Sequence, residues 1–202
     1  MPVPRIHKEN SNKIHFLTFT TIEWIDIFTK PQYFELIISS FKYCQKHKGL
    51  LLHGFVIMTN HIYSIMAVNG LHYGSSPVND EDLHYGSSRE TGANGLDEII
   101  ASFKKFTTMG IKRLLQEDNR KYILSLTKNS YSKKKGASFQ IWQRENYPEI
   151  IETEKFFLQK LNYMHTNPVE KGYVIRPEDW LYSSARSYLL DDDSLIKIDK
   201  LL

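Results

Sequence analysis

The sequence predicts an α+β fold with a ferredoxin-like βαββαβ core, a mainly antiparallel sheet and helices on one face. Strand-like segments alternate along the chain with helical ones, and two of the strand-like segments are separated by only two residues. The chain has 202 residues, of which 41% are hydrophobic, and this is enough for one packed core. We expect one domain over residues 1–190, with an inserted segment at 69–95 and a C-terminal tail at 191–202.

The first half of the chain contains three predicted strands and one helix. Residues 14–21 are aromatic and β-branched, which is typical of a strand. A helix is predicted from Pro31 to just before Gly49, because Pro favours the first turn of a helix and Gly its end. Residues 51–58 and 61–68 are short apolar runs separated only by Thr59 and Asn60, which predicts an antiparallel hairpin.

The second half begins with residues 69–95, rich in Gly, Ser, Asn and Asp, where "LHYGSS" occurs twice; we interpret this as a disordered insertion. A basic amphipathic helix is predicted from residue 96 to about 115. A strand is predicted at 138–143, "SFQIWQ". A last helix should begin near Thr153 and end at Asn167, because Pro168 disfavours its continuation.

Positive charge is concentrated in one part of the chain. Residues 101–145 contain eleven basic and three acidic residues, whereas the whole chain carries a net charge of only +3. A solvated helix face is one explanation, but contact with nucleic-acid phosphates requires such a concentration of charge. The residues selected as candidates for DNA binding are Lys104, Lys105, Lys112, Arg113 and Arg144.

Composition argues against secreted and membrane proteins. Cys44 is the only cysteine, so no internal disulfide can form, which agrees with a reducing compartment. No apolar run has the length of a secretory signal or of a membrane span. These features predict a cytoplasmic protein with no membrane partner.

Two places carry side chains with useful chemistry. His61 and Tyr63 alternate along a predicted strand and therefore share one face of the sheet. Tyr163 lies off the apolar stripe of the last helix, on a polar flank that also carries Asn167 one turn onward. Taken singly, each has an ordinary structural explanation, since a strand histidine often packs and an aromatic ring often covers a core edge.

Five motifs in order resemble the REP-associated tyrosine transposases, relatives of the insertion-sequence-200 transposases in the HUH superfamily of single-strand DNA nucleases. They extend over about residues 13–188 and read "MTNHIY" (58–63), "FKKFTTMGIK" (103–112), "IWQRENYPEI" (141–150), "YMHTNPVEKG" (163–172) and "PEDWLYSSARSY" (177–188). The resemblance implies a transposase-like endonuclease and strand transferase. Such an enzyme acts on single-stranded DNA with hairpins and forms a covalent 5′-phosphotyrosine intermediate.

The resemblance also implies roles for individual residues. Tyr163 matches the nucleophile, His61 a ligand of Mg²⁺ or Mn²⁺, and Asn167 the position of a third polar ligand. Tyr63 stands where the family has a second histidine, and a phenol must lose its proton to become a comparable ligand. Metal binding is then weakened, or another group or water replaces the ligand, or the site is inactive. His165 is interpreted as a structural residue.

Two other functions stay open from the sequence. One is a catalytically weakened or domesticated DNA-binding protein of the same fold, which the replacement at Tyr63 favours. The other is a metal-free RNA-binding module, which the absence of RNP-type aromatic motifs disfavours. The sequence is compatible with a monomer and with a homodimer.

Overall fold

The computed structural model describes residue 6 and residues 10–69, 95–129 and 139–201. Within them the chain forms four strands and five α-helices. The strands are β1 (His15–Thr20), β2 (Leu50–Ile57), β3 (His61–Val68) and β4 (Glu149–Ile150). The helices are α1 (Pro31–Lys48), α2 (Leu96–Glu117), α3 (Lys121–Asn129), α4 (Glu154–Glu170) and α5 (Ala185–Leu190).

The strands form one sheet in the order β2-β3-β1-β4, and every pair is antiparallel. This order is that of a ferredoxin-like core, so the predicted fold class is confirmed. The hairpin of β2 and β3 turns at Thr59 and Asn60, as the two apolar runs predicted. None of the helices in the described part of the chain is both long and apolar enough to span a bilayer.

Both faces of the sheet are covered, which corrects the expectation of helices on one face. Strand side chains alternate, so Leu17 and Ile62 face α1 and α2, whereas Phe16 and Ile65 face α4. Phe41 of α1 and Phe103 of α2 stack with ring centroids 4.9 Å apart in the larger core. Helix α4 has an apolar stripe of its own, and this stripe requires a sheet face to cover it.

The stripe on α4 is the one the sequence predicted. Phe157, Leu161 and Met164 are buried against the sheet. Helix and sheet approach closely at Gly54, where an added β-carbon would meet the ends of the Met164 and Leu161 side chains and force them to shift. These contacts fix how α4 lies across β2 and β3.

Two predictions of element position are wrong, and one helix was not predicted. The fourth strand is Glu149–Ile150 and not 138–143, where the chain follows the edge of β1 with an isolated bridge between Thr21 and Trp142. Helix α4 continues past Pro168 to Glu170. Pro168 lacks an N–H donor, but it lies in the last turn of the helix. Helix α3 was not predicted at all.

The C-terminal residues cover the exposed edge of β2. The Ser184 N–H donates to the Phe55 carbonyl, and the Asp199 N–H donates to the Leu52 carbonyl, each at 2.9 Å. Edge strands with unpaired backbone groups invite association, so this covering satisfies them within the chain. The insertion predicted at 69–95 lies almost wholly outside the described residues.

Candidate active site

His61 and Tyr63 lie at the start of β3, on the sheet face covered by α4. Helix α4 packs its apolar stripe on that face, so its flank carries Tyr163 and Asn167 towards the same strand end. Tyr163 is 41% exposed, although it lies beside a helix face that packs on the sheet. Two segments separated by 100 residues therefore meet at one place.

The two tyrosines are in direct contact. Their hydroxyl oxygens lie 3.0 Å apart, and either one can donate the hydrogen bond. The Tyr63 ring stacks on Phe16 with centroids 5.5 Å apart. Burial, with the hydrogen bond to Tyr163, raises the pKa of Tyr63 above that of a free tyrosine. Tyr63 is therefore a protonated phenol near neutral pH and a poor metal ligand.

The His61 imidazole is held in one tautomer. Its Nδ1 lies 2.7 Å from the Asn60 side-chain oxygen, which can only accept, so Nδ1 carries the proton and Nε2 keeps a lone pair. Burial, together with the charge of Lys171, lowers the pKa of His61 to about 4, although the Asn167 side chain and the Asp26 carboxylate oppose the shift. The imidazole is therefore neutral at physiological pH.

Two buried acceptor atoms lack hydrogen-bond partners at this place. They are His61 Nε2 and the Asn167 side-chain oxygen Oδ1. Asn167 lies close enough to His61 to affect its pKa, yet Nε2 and Oδ1 make no hydrogen bond. A buried polar atom without a partner is costly, so such a pair is suited to a bound cation or donor.

The basic candidates do not join this site. Lys104 is half-buried and donates to the Gln143 carbonyl at 2.7 Å, and burial lowers its pKa to about 8. Lys112 lies over the Phe139 ring, and Arg113 pairs with Glu117 at 3.5 Å. Three of the basic candidates, Lys104, Lys105 and Arg144, line a groove of about 1020 Å³ between α2 and residues 139–146. That groove is on the α2 side of the sheet, away from Tyr163.

His165 has a structural role, which agrees with its interpretation from the sequence. It is buried, and its Nε2 lies 2.8 Å from the Ser184 hydroxyl, which also contacts the backbone of Phe55 in β2. Burial lowers the pKa of His165 to about 4. Ser183 and Ser184 of the last motif are buried as well, and Ser184 joins His165 of α4 to the edge strand β2.

Sequence reasoning missed two residues of the site. Asn60 orients His61, and its position directly before that histidine was the available signal. Lys171 provides a positive charge near His61, and it follows Asn167 by one helical turn. Neither residue type is unusual at its place in the sequence. Each residue takes part in the site only because the hairpin turn and the end of α4 meet in the folded chain.

No family model matches the chain. A Haemophilus influenzae protein described as a REP-associated tyrosine transposase is 43% identical over 44 residues, which are 22% of this chain and 25% of that protein. A solved structure of a REP-associated tyrosine transposase bound to a REP hairpin has a TM-score of 0.55. It covers 92% of this chain and 83% of its own at 17% identity, so that likeness concerns the fold. The resemblance to the REP-associated tyrosine transposases is confirmed.

The structure brings together four of the predicted site residues and leaves the others apart. His61, Tyr63, Tyr163 and Asn167 converge at the α4 face. The basic candidates lie on α2 and beside it. Among the described residues, no three His, Cys, Asp or Glu side chains gather into a group that could hold a metal ion.

Proposed function

We propose that this chain is a single-stranded DNA endonuclease and strand transferase that acts on DNA with hairpins, with Tyr163 as its nucleophile. The observation that carries the proposal is the convergence of an exposed phenol, a neutral imidazole and an unpaired amide oxygen at one place. The relative described as a REP-associated tyrosine transposase, and the solved one bound to a REP hairpin, support hairpin DNA as the substrate.

The residues fit a divalent cation as a partial ligand set. His61 Nε2 and Asn167 Oδ1 would hold Mg²⁺ or Mn²⁺, while the DNA phosphate and water supply the remaining oxygens that these ions prefer. When bound, the cation neutralises charge on the scissile phosphate. Asn60 fixes the imidazole orientation, as hydrogen-bond partners of metal-bound histidines do.

The cleavage step follows from the chain's own groups. The Tyr163 oxygen forms a bond to phosphorus while the bond from phosphorus to the 3′ oxygen breaks. The phenol proton passes to solvent, and the leaving 3′ oxygen takes a proton to become a hydroxyl. Tyr63 can donate a hydrogen bond to the attacking oxygen, which stabilises the charge that develops there. The 5′ phosphate stays on Tyr163, ready for rejoining.

A second candidate is a DNA-binding protein with weakened cleavage. The observation that favours it is Tyr63, which stands where the family has a second histidine. Its protonated phenol forms a hydrogen bond with Tyr163. Loss of a directly binding side chain should lower metal affinity by more than the roughly 10- to 100-fold typical of outer partners. The two candidates share the fold and differ only in chemistry.

A covalent-adduct assay separates them. The protein is incubated with end-labelled, hairpin-bearing single-stranded DNA and Mn²⁺, and adducts are resolved on a denaturing gel. Native protein should form an adduct that Tyr163→Phe abolishes. Tyr122→Phe, a change at an exposed tyrosine on α3, serves as the matched control and should form the native amount.

The Tyr63→His variant distinguishes the remaining outcomes. An adduct from this variant but not from the native chain identifies the weakened site. An adduct that persists in Tyr163→Phe contradicts the assignment of the nucleophile. Equal adduct in native protein and Tyr63→His would show that one imidazole and one amide suffice for the cation.

A further inference from the structure

Two exposed aromatic side chains flank His61. The Trp24 ring is 59% exposed and meets the His61 ring edge-on, with centroids 6.2 Å apart. The Tyr173 ring is 46% exposed, stacks on Trp180, and places its hydroxyl 3.3 Å from Thr59 Oγ1 in the hairpin turn next to His61. We call Trp24 and Tyr173 the aromatic rim.

The backbone at Trp24 is strained. Glu23 has φ 50° and Trp24 has φ 54°, in the left-handed region that bulky side chains rarely adopt. Strain of this kind persists only where surrounding contacts hold it, and it clusters at binding sites. Here the strained residues carry a large, mostly exposed indole ring beside the candidate nuclease site.

One side chain holds both the Trp24 backbone and the His61 imidazole. Asn60 Nδ2 donates to the Trp24 carbonyl at 3.2 Å, while Asn60 Oδ1 accepts from His61 Nδ1 at 2.7 Å. The position of Trp24 is therefore set relative to His61 by a single amide. Such shared support is expected when a ring and a reactive group must contact the same ligand.

The second ring is placed by the end of α4. Gly172 has φ 71° and turns the chain directly after Lys171, so that Tyr173 returns towards the hairpin turn. Lys171 acts on the pKa of His61, and its charge can attract a phosphate to the same place. Cationic charge for the backbone with aromatic faces for bases is the combination that binds single strands.

Resting on the proposed function, we infer that the aromatic rim is a stacking site for unpaired bases of single-stranded DNA on either side of the phosphate bound at His61. Paired bases have their faces covered by neighbours, so the rim selects single-stranded flanks over duplex. Trp24 and Tyr173 are positioning residues, because they hold bases and touch no reacting atom.

The test measures DNA binding in EDTA, so that neither metal nor cleavage contributes. The probe is a labelled hairpin with an unpaired flank, compared with the same hairpin whose flank carries abasic sites. The variants are Trp24→Asn, since Asn tolerates a left-handed backbone, and Tyr173→Ala. The control is Tyr122→Ala, which removes a 76% exposed ring on α3.

Each rim variant should weaken binding to the unpaired flank about tenfold, and neither should discriminate against the abasic flank as the native protein does. Tyr122→Ala should bind within about twofold of native. Indole fluorescence gives a second readout, because stacking on Trp24 should quench emission in native protein and not in Trp24→Asn. Near-ultraviolet circular dichroism checks that each variant is folded.

The inference is overturned if the rim variants bind the unpaired flank as tightly as native, or if native protein does not discriminate against abasic DNA. Both outcomes are independent of Tyr163, since no cleavage occurs in EDTA. If the native protein discriminates against abasic DNA but forms no covalent adduct, the aromatic rim is supported and the proposed cleavage chemistry is contradicted. If it forms the adduct but does not discriminate, the cleavage chemistry is supported and the aromatic rim is contradicted.

Discussion

At the scale of single residues, burial keeps two imidazoles neutral, one in the candidate site and one in the packing beneath α4. His61 and His165 both have a pKa of about 4, with burial as the main cause. In the unfolded chain each returns to an ordinary value near 6.5. The unfolded state therefore binds more protons than the folded state below that pH.

This difference predicts how stability depends on pH. The folded pKa is lowered, so the stabilisation is complete above about pH 6.5 and is lost as the pH falls towards 4. Urea unfolding should show a free energy lower by about 1 to 2 kcal/mol per histidine at pH 5 than at pH 7.5. His165→Asn should reduce that pH dependence, whatever its effect at pH 7.5. An unchanged dependence would contradict a neutral, buried His165.

The second prediction at this scale concerns Asn60. Asn60→Ala removes the acceptor that fixes His61 Nδ1, so the imidazole becomes free to rotate or change tautomer. Mn²⁺ affinity, measured by electron paramagnetic resonance of the free ion, should fall about 10- to 100-fold. Asn60→Asp keeps an acceptor and should stay closer to native. Equal affinities in all three proteins would remove His61 from the ligand set.

At the scale of elements, helix α4 joins the site to the fold. Its apolar stripe could be predicted from spacing alone, and the position of Tyr163 beside that stripe followed. Its start at Thr153 was also predictable, because threonine is a preferred N-cap residue. In the structure the Thr153 hydroxyl accepts from the Phe156 N–H at 3.2 Å. The end of α4 could not be predicted, because a proline usually ends a helix, whereas Pro168 is tolerated in the last turn.

The cap gives a prediction for α4. Thr153→Ala should lower the free energy of unfolding by about 1 kcal/mol, because one N–H of the first turn loses its acceptor. Thr153→Ser retains a hydroxyl and should remain near native in the same urea titration. If the two variants are equally destabilised, the lost methyl group and not the cap is responsible.

The fourth strand shows what the sequence could not reveal. "SFQIWQ" has strand composition, but Trp142 turns inward and its indole N–H donates to the Thr107 hydroxyl of α2 at 2.9 Å. That contact belongs to tertiary packing, which overrides local propensity. The pairing of Tyr63 with Tyr163 was equally hidden, because it depends on α4 crossing the sheet face that was expected to be free.

At the scale of the whole molecule, the sheet separates two regions. The groove of Lys105 and Arg144 lies on the α2 side, and the tyrosine pair lies on the α4 side. If DNA contacts both, the groove supplies affinity through phosphates while the α4 face supplies chemistry. The concentration of charge along the sequence predicted a basic surface on α2, but not that this surface lies on the opposite side of the sheet from Tyr163.

This separation predicts how a groove variant behaves. Lys105→Ala should reduce the slope of log affinity against log salt by about one, as expected for one lost phosphate contact. Adduct formation at saturating DNA should be unchanged. Lys42→Ala, a matched change on α1, should leave the slope as it is. An equal slope in Lys105→Ala and native protein would place the DNA path elsewhere.

The central claim is that the nucleophile is Tyr163 and not its neighbour Tyr63, and peptide mapping of the covalent adduct tests it most directly. Trypsin separates the two, because Tyr163 lies in the peptide between Lys160 and Lys171, whereas Tyr63 lies between Lys48 and Arg89. After nuclease digestion, mass spectrometry should find the residual 5′ nucleotide on the peptide 161–171. A nucleotide on the peptide 49–89 would contradict the account.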